Sequence, residues 1–332
     1  MMLSERLYDN HGRPIQYLRL AVTDRCNLRC FYCMPAGGIP YVPDKQLLSY
    51  EEMLRLSAIL ARLGVRKVRI TGGEPFVRHQ LMNFLYQLAN LSGIEEISIT
   101  TNGVLTQKYI PDLKALGIRS INLSLDSLDR KRFFHITRRD EFPTVKRCLY
   151  QLLDAGFKVK INAVVMADRN IEDLIPLARL TEKNPLSVRF IEEMPFNGEG
   201  AHYPTLHWNY QRILEHLKTA FPALEKYSDP EHSTAYHYQV PGFAGNIGLI
   251  AAFSRTFCGS CNRIRLTAQG MLKTCLYDDG VLNLRDLIRR GYSDEQLQNE
   301  FMRAFQHRAK DGFEAETQRS TLIRESMTTI GG

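Results

Sequence analysis

Six short segments in the first two thirds of the chain alternate apolar and polar residues: YLRLAV from Tyr17, KVRIT from Lys67, EEISIT from Glu95, RSINLSL from Arg119, FKVKINAVV from Phe157 and LSVRFIE from Leu186. This period of two predicts strands. Between them apolar residues recur at helical spacing, as in YEEMLRLSAILARLG after Ser49 and IEDLIPLARLTEK after Asn170. Gly64, Gly117 and Gly156 each follow a helical pattern and precede a strand, where a left-handed C-cap residue belongs. Six β-then-α units in succession predict a parallel sheet with helices outside it.

The strands also carry a choice between an open sheet and a barrel. A doubly wound sheet buries both faces, so its strands read as nearly continuous apolar runs. Here Arg19, Arg69, Thr71, Ser98, Thr100, Asn122, Ser124, Lys160, Asn162 and Arg189 occupy one alternating set, and Leu, Val and Ile the other. Cations and hydroxyls on one face of successive strands suit a cavity, and six units suit a partial (βα)6 TIM-type barrel. A single strand arginine is usually an isolated ion pair; a pattern shared by successive strands is not explained that way.

After about Gly200 the pattern changes. FNGEGAHYP reads as a linker, followed by an amphipathic helix around Tyr210–Ala220 and a hairpin-like stretch, HYQVPGFAGNIGLIAAF. The expected organisation is therefore an α/β partial barrel over residues 1–200 and a C-terminal α+β subdomain over 201–332 that covers the open side.

Composition narrows the functional classes. At 332 residues and 44% hydrophobic, the chain is ordinary globular material, and it contains no apolar run of the roughly 18 residues that span a membrane. Acidic Glu5 and Asp9 in an N-terminus without an apolar stretch argue against a signal or transit peptide, so a cytoplasmic location is expected. The net charge of +7 invites a nucleic-acid reading. However, basic and acidic residues number 15 and 10 over residues 1–125, 16 and 16 over 126–249, and 12 and 10 over 250–332. No block concentrates the charge, which argues against a nucleic-acid footprint.

The seven cysteines carry the chemistry. An odd number in a reducing compartment points to metal or catalysis rather than disulfides. Cys26, Cys30 and Cys33 form C-x3-C-x2-C directly after the first strand, on the face where βα barrels build active sites. Three thiolates suit an iron–sulfur cubane with one iron left open. Structural zinc takes four ligands, and His11, the nearest histidine upstream, precedes the strand. Cys258, Cys261 and Cys275 form a second triad, C-x2-C and a third cysteine after 13 residues. Alone it could equally be three quarters of a zinc ribbon; beside the first loop, a second open-iron cluster is favoured. Cys148 lies in the amphipathic VKRCLYQLLDAG and is expected in the core. The TGGEP run, Thr71–Pro75, ends the second strand with two glycines that allow close backbone approach to a ligand, and Glu74 could accept from an ammonium group.

C-x3-C-x2-C after strand one and GGEP after strand two resemble the radical S-adenosylmethionine (SAM) superfamily. The second triad followed by NRIR, with the closing IGG, is similar to the GTP 3′,8-cyclase family, which acts first in molybdenum-cofactor biosynthesis. The resemblance runs from about Arg19 to Gly332. It implies two [4Fe-4S] clusters, one on Cys26, Cys30 and Cys33 that binds SAM, and one on Cys258, Cys261 and Cys275 that contacts the guanine of GTP. Tyr32, Gly73, Ser124 and Met194 match SAM-lining positions; Arg19, Arg69, Thr100, Lys160, Arg263, Ile264 and Arg265 match positions around GTP. The implied reaction takes hydrogen from C3′ of GTP with a 5′-deoxyadenosyl radical and joins C3′ to C8, giving 3′,8-cyclo-7,8-dihydro-GTP. No side chain is needed as a conventional acid, base or nucleophile, and the Gly331–Gly332 tail is expected to act inside the barrel.

Partners implied are an external one-electron donor of flavodoxin or ferredoxin type and, by product transfer, the cyclic pyranopterin monophosphate synthase that follows. Neither nucleic acid nor membrane is expected, and the chain would be a monomer or homodimer. A radical SAM peptide-modifying enzyme is the main alternative, but such extensions generally hold more than three cysteines. A two-cluster electron carrier would leave TGGEP and the cationic strand face without a purpose.

Overall fold

Alternation along the chain is realised as strands in the computed structural model, which describes residues 7–198 and 206–332. The six expected strands are β1 (Tyr17–Ala21), β2 (Lys67–Thr71), β3 (Glu96–Thr101), β4 (Ser120–Ser124), β5 (Lys158–Val165) and β6 (Ser187–Glu192). The C-terminal part adds β7 (Glu225–Lys226), β8 (Tyr236–Gln239), β9 (Asn246–Ile250), β10 (Arg263–Leu266), β11 (Met271–Lys273) and β12 (Leu282–Asn283).

Two compact units make up the chain. The first consists of Met1–Asn27, Pro40–Ile99 and Cys258–Gly332. In it β10, β1, β2 and β3 run parallel, and β11 and β12 continue antiparallel beyond β10. Leu18, Leu20, Val68, Ile70 and Ile99 are buried on the apolar strand face, each contributing roughly 1.5–3 kcal/mol relative to exposure. The helix Tyr50–Arg62 starts where Ser49 Oγ accepts from Glu52 N–H at 3.1 Å and Glu52 Oε2 accepts from Ser49 N–H at 2.7 Å. This reciprocal cap satisfies two amides that would otherwise lack partners. The helix buries Met53, Leu56, Ile59 and Leu60 and gives way to Gly64 at a φ of 107°.

The second unit consists of Leu28–Ile39 and Thr100–Phe257. Here β4, β5, β6 and β9 are parallel, with β8 and β7 antiparallel beyond β9. The helix Phe142–Asp154 buries Val145, Cys148, Leu149 and Leu152, so Cys148 is a core thiol as expected. Gly117 and Gly156 take positive φ, 73° and 81°, before β4 and β5.

The C-terminal part differs in one respect from a separate cover. The β8–β9 hairpin forms as read, but β9 also pairs parallel with β6 and β10 pairs parallel with β1. Six strands alone would leave one edge of β1 and one of β6 as rows of unpaired amides and carbonyls, and these later strands satisfy them. The expected division at residues 200 and 201, and most of the FNGEGAHYP linker, lie outside the described residues. Each unit draws on residues from both sides of that division.

Candidate active site

In the first unit the strand register sets Arg265, Arg19, Arg69 and Ser98 side by side across β10, β1, β2 and β3. Arg263, Tyr17 and Lys67 form a second row two residues earlier. Burial lowers the pKa of Arg19 well below the ordinary arginine value, and the charges of Arg265 and Arg69 lower it further. Arg265 is pushed down to about 10 by burial and by Arg263, against the pull of the Cys275 and Cys261 thiolates. Burial would raise the Tyr17 hydroxyl, yet the charges of Arg69, Arg19 and Lys67 hold it below its usual value. Cations crowded together in this way favour an anionic ligand. The Nε atoms of Arg19 and Arg69 and Oγ1 of Thr71 are buried without a hydrogen-bond partner among the described residues, as donors aimed at a polar ligand would be.

The C-terminus reaches this row. Arg265 Nη1 donates to the carbonyl of Gly331, which follows a short helix, Met327–Ile330, capped by Ser326. Gly331 has a φ of 79°, and a Cβ there would lie 2.5 Å from Thr71 Oγ1 and 2.9 Å from Ala21 Cβ. Only glycine fits this approach to β1 and β2.

The glycines of the TGGEP turn pack against the chain itself. A Cβ on Gly72 would lie 2.4 Å from the Thr23 carbonyl, and one on Gly73 2.3 Å from that of Arg25. The close approach they permit is to the chain's own segment leading into Cys26. Amides of Gly73 and Glu74 donate to Thr23 and Arg25 carbonyls, both at 2.9 Å. Glu74 is fully buried, with Oε1 accepting from Phe76 N–H at 3.2 Å.

The second triad lies wholly in the first unit. Cys258 and Cys261 share a tight turn, with Cys261 N–H donating to the Cys258 carbonyl at 3.1 Å, and Cys275 N–H donates to Asp278 Oδ2 at 2.8 Å. Burial raises the Cys275 thiol to about 11, helped by Asp278 and the other two sulfurs. Burial also raises Cys258, whereas at Cys261 the charges of Arg263 and Arg308 outweigh burial and bring the thiol down to about 6. The ionisation of Cys258 and Cys275 is opposed by the neighbouring sulfurs, a repulsion that a bound cation would relieve. Ile264, between the two arginines, is 1% exposed on the core side of β10.

In the second unit Cys33 and Met34 amides donate to the Cys30 carbonyl, at 2.9 and 3.0 Å, closing the turn that carries two of the first three cysteines. The Arg138 guanidinium donates to the carbonyls of Arg29 and Met34, at 3.2 and 3.0 Å, gripping this turn from both ends. Tyr32 OH donates to Asp126 Oδ2 at 2.8 Å, while Asp126 Oδ1 accepts from Val164 N–H at 2.8 Å. Burial raises Asp126 to about 6 and drives Tyr32 well above its ordinary value. Ser124 ends β4, and Met194 follows β6, both half-buried. Lys160 on β5 and Arg189 on β6 lie near His237 on β8, which burial holds below the usual histidine value against the pull of Asp229. Thr100 Oγ1 and Asn162 Oδ1 are buried without partners among the described residues.

Residues 20–181 match the family described as the Radical SAM superfamily, and residues 186–313 match Molybdenum Cofactor Synthesis C. The GTP 3′,8-cyclase of Desulforamulus reducens is 39% identical over 331 residues, covering 98% of this chain and 100% of that protein. This chain belongs to the GTP 3′,8-cyclase family. The bovine molybdenum cofactor biosynthesis protein 1 is 42% identical over 292 residues, which are 88% of this chain and 46% of that protein. The chain thus spans about half the length of the animal relatives that it matches. Among solved structures, SuiB of Streptococcus suis bound to S-adenosylmethionine superposes with a TM-score of 0.56 at 16% identity, covering 83% of this chain and 64% of that one. That likeness shows the fold, an α/β radical SAM architecture with a parallel core, as the family membership requires. Among the described residues no helix is long and apolar enough to cross a membrane.

Sequence reading missed Asp126 and Arg138, and also Asp9, Arg13 and Arg308, which surround the second triad. None carries a local signal. Asp9 and Arg308, for instance, meet across 299 residues of chain.

Proposed function

We propose that this chain catalyses the cyclisation of GTP to 3′,8-cyclo-7,8-dihydro-GTP, the first step of molybdenum-cofactor biosynthesis. The observation that carries the reading is the row of Arg265, Arg19 and Arg69, the outer two buried and Arg19 half-buried, in a member of this family whose Gly331 carbonyl accepts from Arg265. Bound SAM and two [4Fe-4S] clusters would supply the one-electron and hydrogen-atom chemistry.

The protein's own residues hold and orient. Cys26, Cys30 and Cys33 would carry the SAM-binding cluster and Cys258, Cys261 and Cys275 the substrate-binding one, with Tyr32, Gly73, Ser124 and Met194 lining SAM. Asp126 fixes the Tyr32 ring through its hydroxyl. Arg19, Arg69, Arg263 and Arg265 match a triphosphate, because planar guanidinium forks pair with phosphate oxygens and repel one another until an anion arrives. Thr100 and Lys160 match further positions around GTP in the family. Ile264 can offer only its backbone. Holding C3′ and C8 in reacting geometry is catalysis by orientation, which explains why no acid or base is required. A flavodoxin- or ferredoxin-type donor, hand-over of product to the next enzyme and a cytoplasmic location complete the proposal.

Anaerobic reconstitution with dithionite, SAM and GTP tests it, with the product identified by mass spectrometry and NMR. Formation of 5′-deoxyadenosine together with 3′,8-cyclo-7,8-dihydro-GTP is expected. Reductive SAM cleavage that ignores GTP, or none at all, would exclude the assignment.

A further inference from the structure

The N-terminal segment and the stretch after residue 305 brace the second cysteine triad, entirely within the first unit. Tyr8 and Pro14 pair across a short turn, placing the buried Asp9 and Arg13 on the same side as Arg308, which is 3% exposed. Asp9 Oδ2 accepts from Arg13 Nε at 2.7 Å and from Arg308 Nη1 at 3.1 Å. Arg13 Nη1 donates to the Cys258 carbonyl at 3.1 Å. Arg308 donates from Nε to the Thr274 carbonyl at 3.0 Å, from Nη1 to the Cys261 carbonyl at 3.0 Å, and from Nη2 to the Arg263 carbonyl at 3.0 Å and to Cys261 Sγ at 3.2 Å. A guanidinium has five N–H groups in a fixed fork, and here every one has an acceptor. Each cysteine segment is therefore gripped: Cys258 by Arg13, Cys261 by Arg308, and Cys275 through the preceding Thr274.

One of those five acceptors is a ligand sulfur. A charged donor on a thiolate withdraws electron density from it and stabilises the more negative, reduced form of the attached cluster. Full burial strengthens the effect, because water does not screen the charge, and Asp9 neutralises only one side of the guanidinium. We propose that Arg308, held by Asp9, is a positioning residue of the second cluster that orients Cys261 and raises the cluster's reduction potential through an N–H···S hydrogen bond. The proposal rests on the reading that Cys258, Cys261 and Cys275 hold a [4Fe-4S] cluster.

The test uses the full chain with Cys26, Cys30 and Cys33 replaced by Ser, so that any iron reports the second triad. After anaerobic reconstitution, iron and sulfide are counted and the cluster is titrated by EPR at controlled potentials, with melting by circular dichroism as a fold control. In Arg308→Lys, which keeps a cation beside Asp9 but loses the fork, the reduced-to-oxidised ratio at a fixed potential should fall about tenfold, about 59 mV for a one-electron couple. Arg308→Gln should shift it further in the same direction. Unchanged potentials in both loaded variants would overturn the proposal. Failure of both to fold or to hold iron would overturn it too, since the guanidinium would then be only a support for the loop. If the parent chain itself held no iron, the second-cluster reading would fall and this inference with it.

Discussion

Replacing Gly331 by alanine tests the contact between the C-terminus and the arginine row. The new methyl would lie 2.5 Å from Thr71 Oγ1 and 2.9 Å from Ala21 Cβ, on strands that cannot retreat without disturbing their register. The φ of 79° adds strain, about 1 kcal/mol for a residue with a Cβ. Forcing the methyl against these two strands adds overpacking, worth roughly 2 kcal/mol. Together these shift the balance between docked and undocked tail by about 3 kcal/mol, roughly two decades in population. Because only the last few residues detach, the melting temperature should hardly change, and iron content should stay at wild-type level. Cyclised product should fall by one to two decades, and hydrogen exchange at Thr328–Gly332 should rise; deleting Gly331 and Gly332 should abolish cyclisation while leaving cluster content intact. A Gly331→Ala enzyme with wild-type product formation and a still-protected tail would refute the reasoning.

Asp126, at about 6 because of burial, makes the fold less stable as pH rises. The folded state keeps its proton longer than the unfolded chain, so stability falls between the ordinary carboxylate value and about 6, by about 3 kcal/mol at most. Asp126→Asn should abolish that slope and melt higher than the parent at pH 8, with no gain at pH 4; equal melting curves at both would contradict the burial argument. Arg138 sits at a φ of 55° and grips the Cys30–Cys33 turn. Arg138→Gly relieves the backbone, at about 1 kcal/mol, while removing the grip. Cluster occupancy at the first triad, read by iron content and the SAM-induced EPR change, should therefore drop without a loss in melting temperature. Cys258→Ala should lower iron from about eight to about four per chain and weaken GTP binding while leaving SAM binding intact, as isothermal titration of the reconstituted protein can establish.

The six strands, the helix starts and the left-handed glycines were legible in the sequence because they are set by residues within a few positions of one another. Period two fixes which side chains share a face, and Ser49 with Glu52 fixes where a helix begins. The cysteine spacings were legible for the same reason. A cluster loop gathers its sulfurs over a short span, so C-x3-C-x2-C needs no knowledge of the rest of the fold.

What the sequence left open depends on contacts between distant segments. Nothing in NRIRL or NIGLI says that they extend the parallel rows beside β1 and β6. That choice follows from which edges still need hydrogen bonds once the other strands have paired. The glycines of TGGEP were visible, but their reason, packing against Thr23 and Arg25, was not. Asp126, Arg138, Asp9 and Arg308 read as ordinary surface charges until the fold buries them or places them against a cysteine turn. The sequence alone therefore determined which cysteines lie close along the chain and which strand face is polar, since those are local and periodic. Only the tertiary structure decided how they are oriented and charged, because burial and long-range partners set the field that a thiolate, a carboxylate or an arginine experiences.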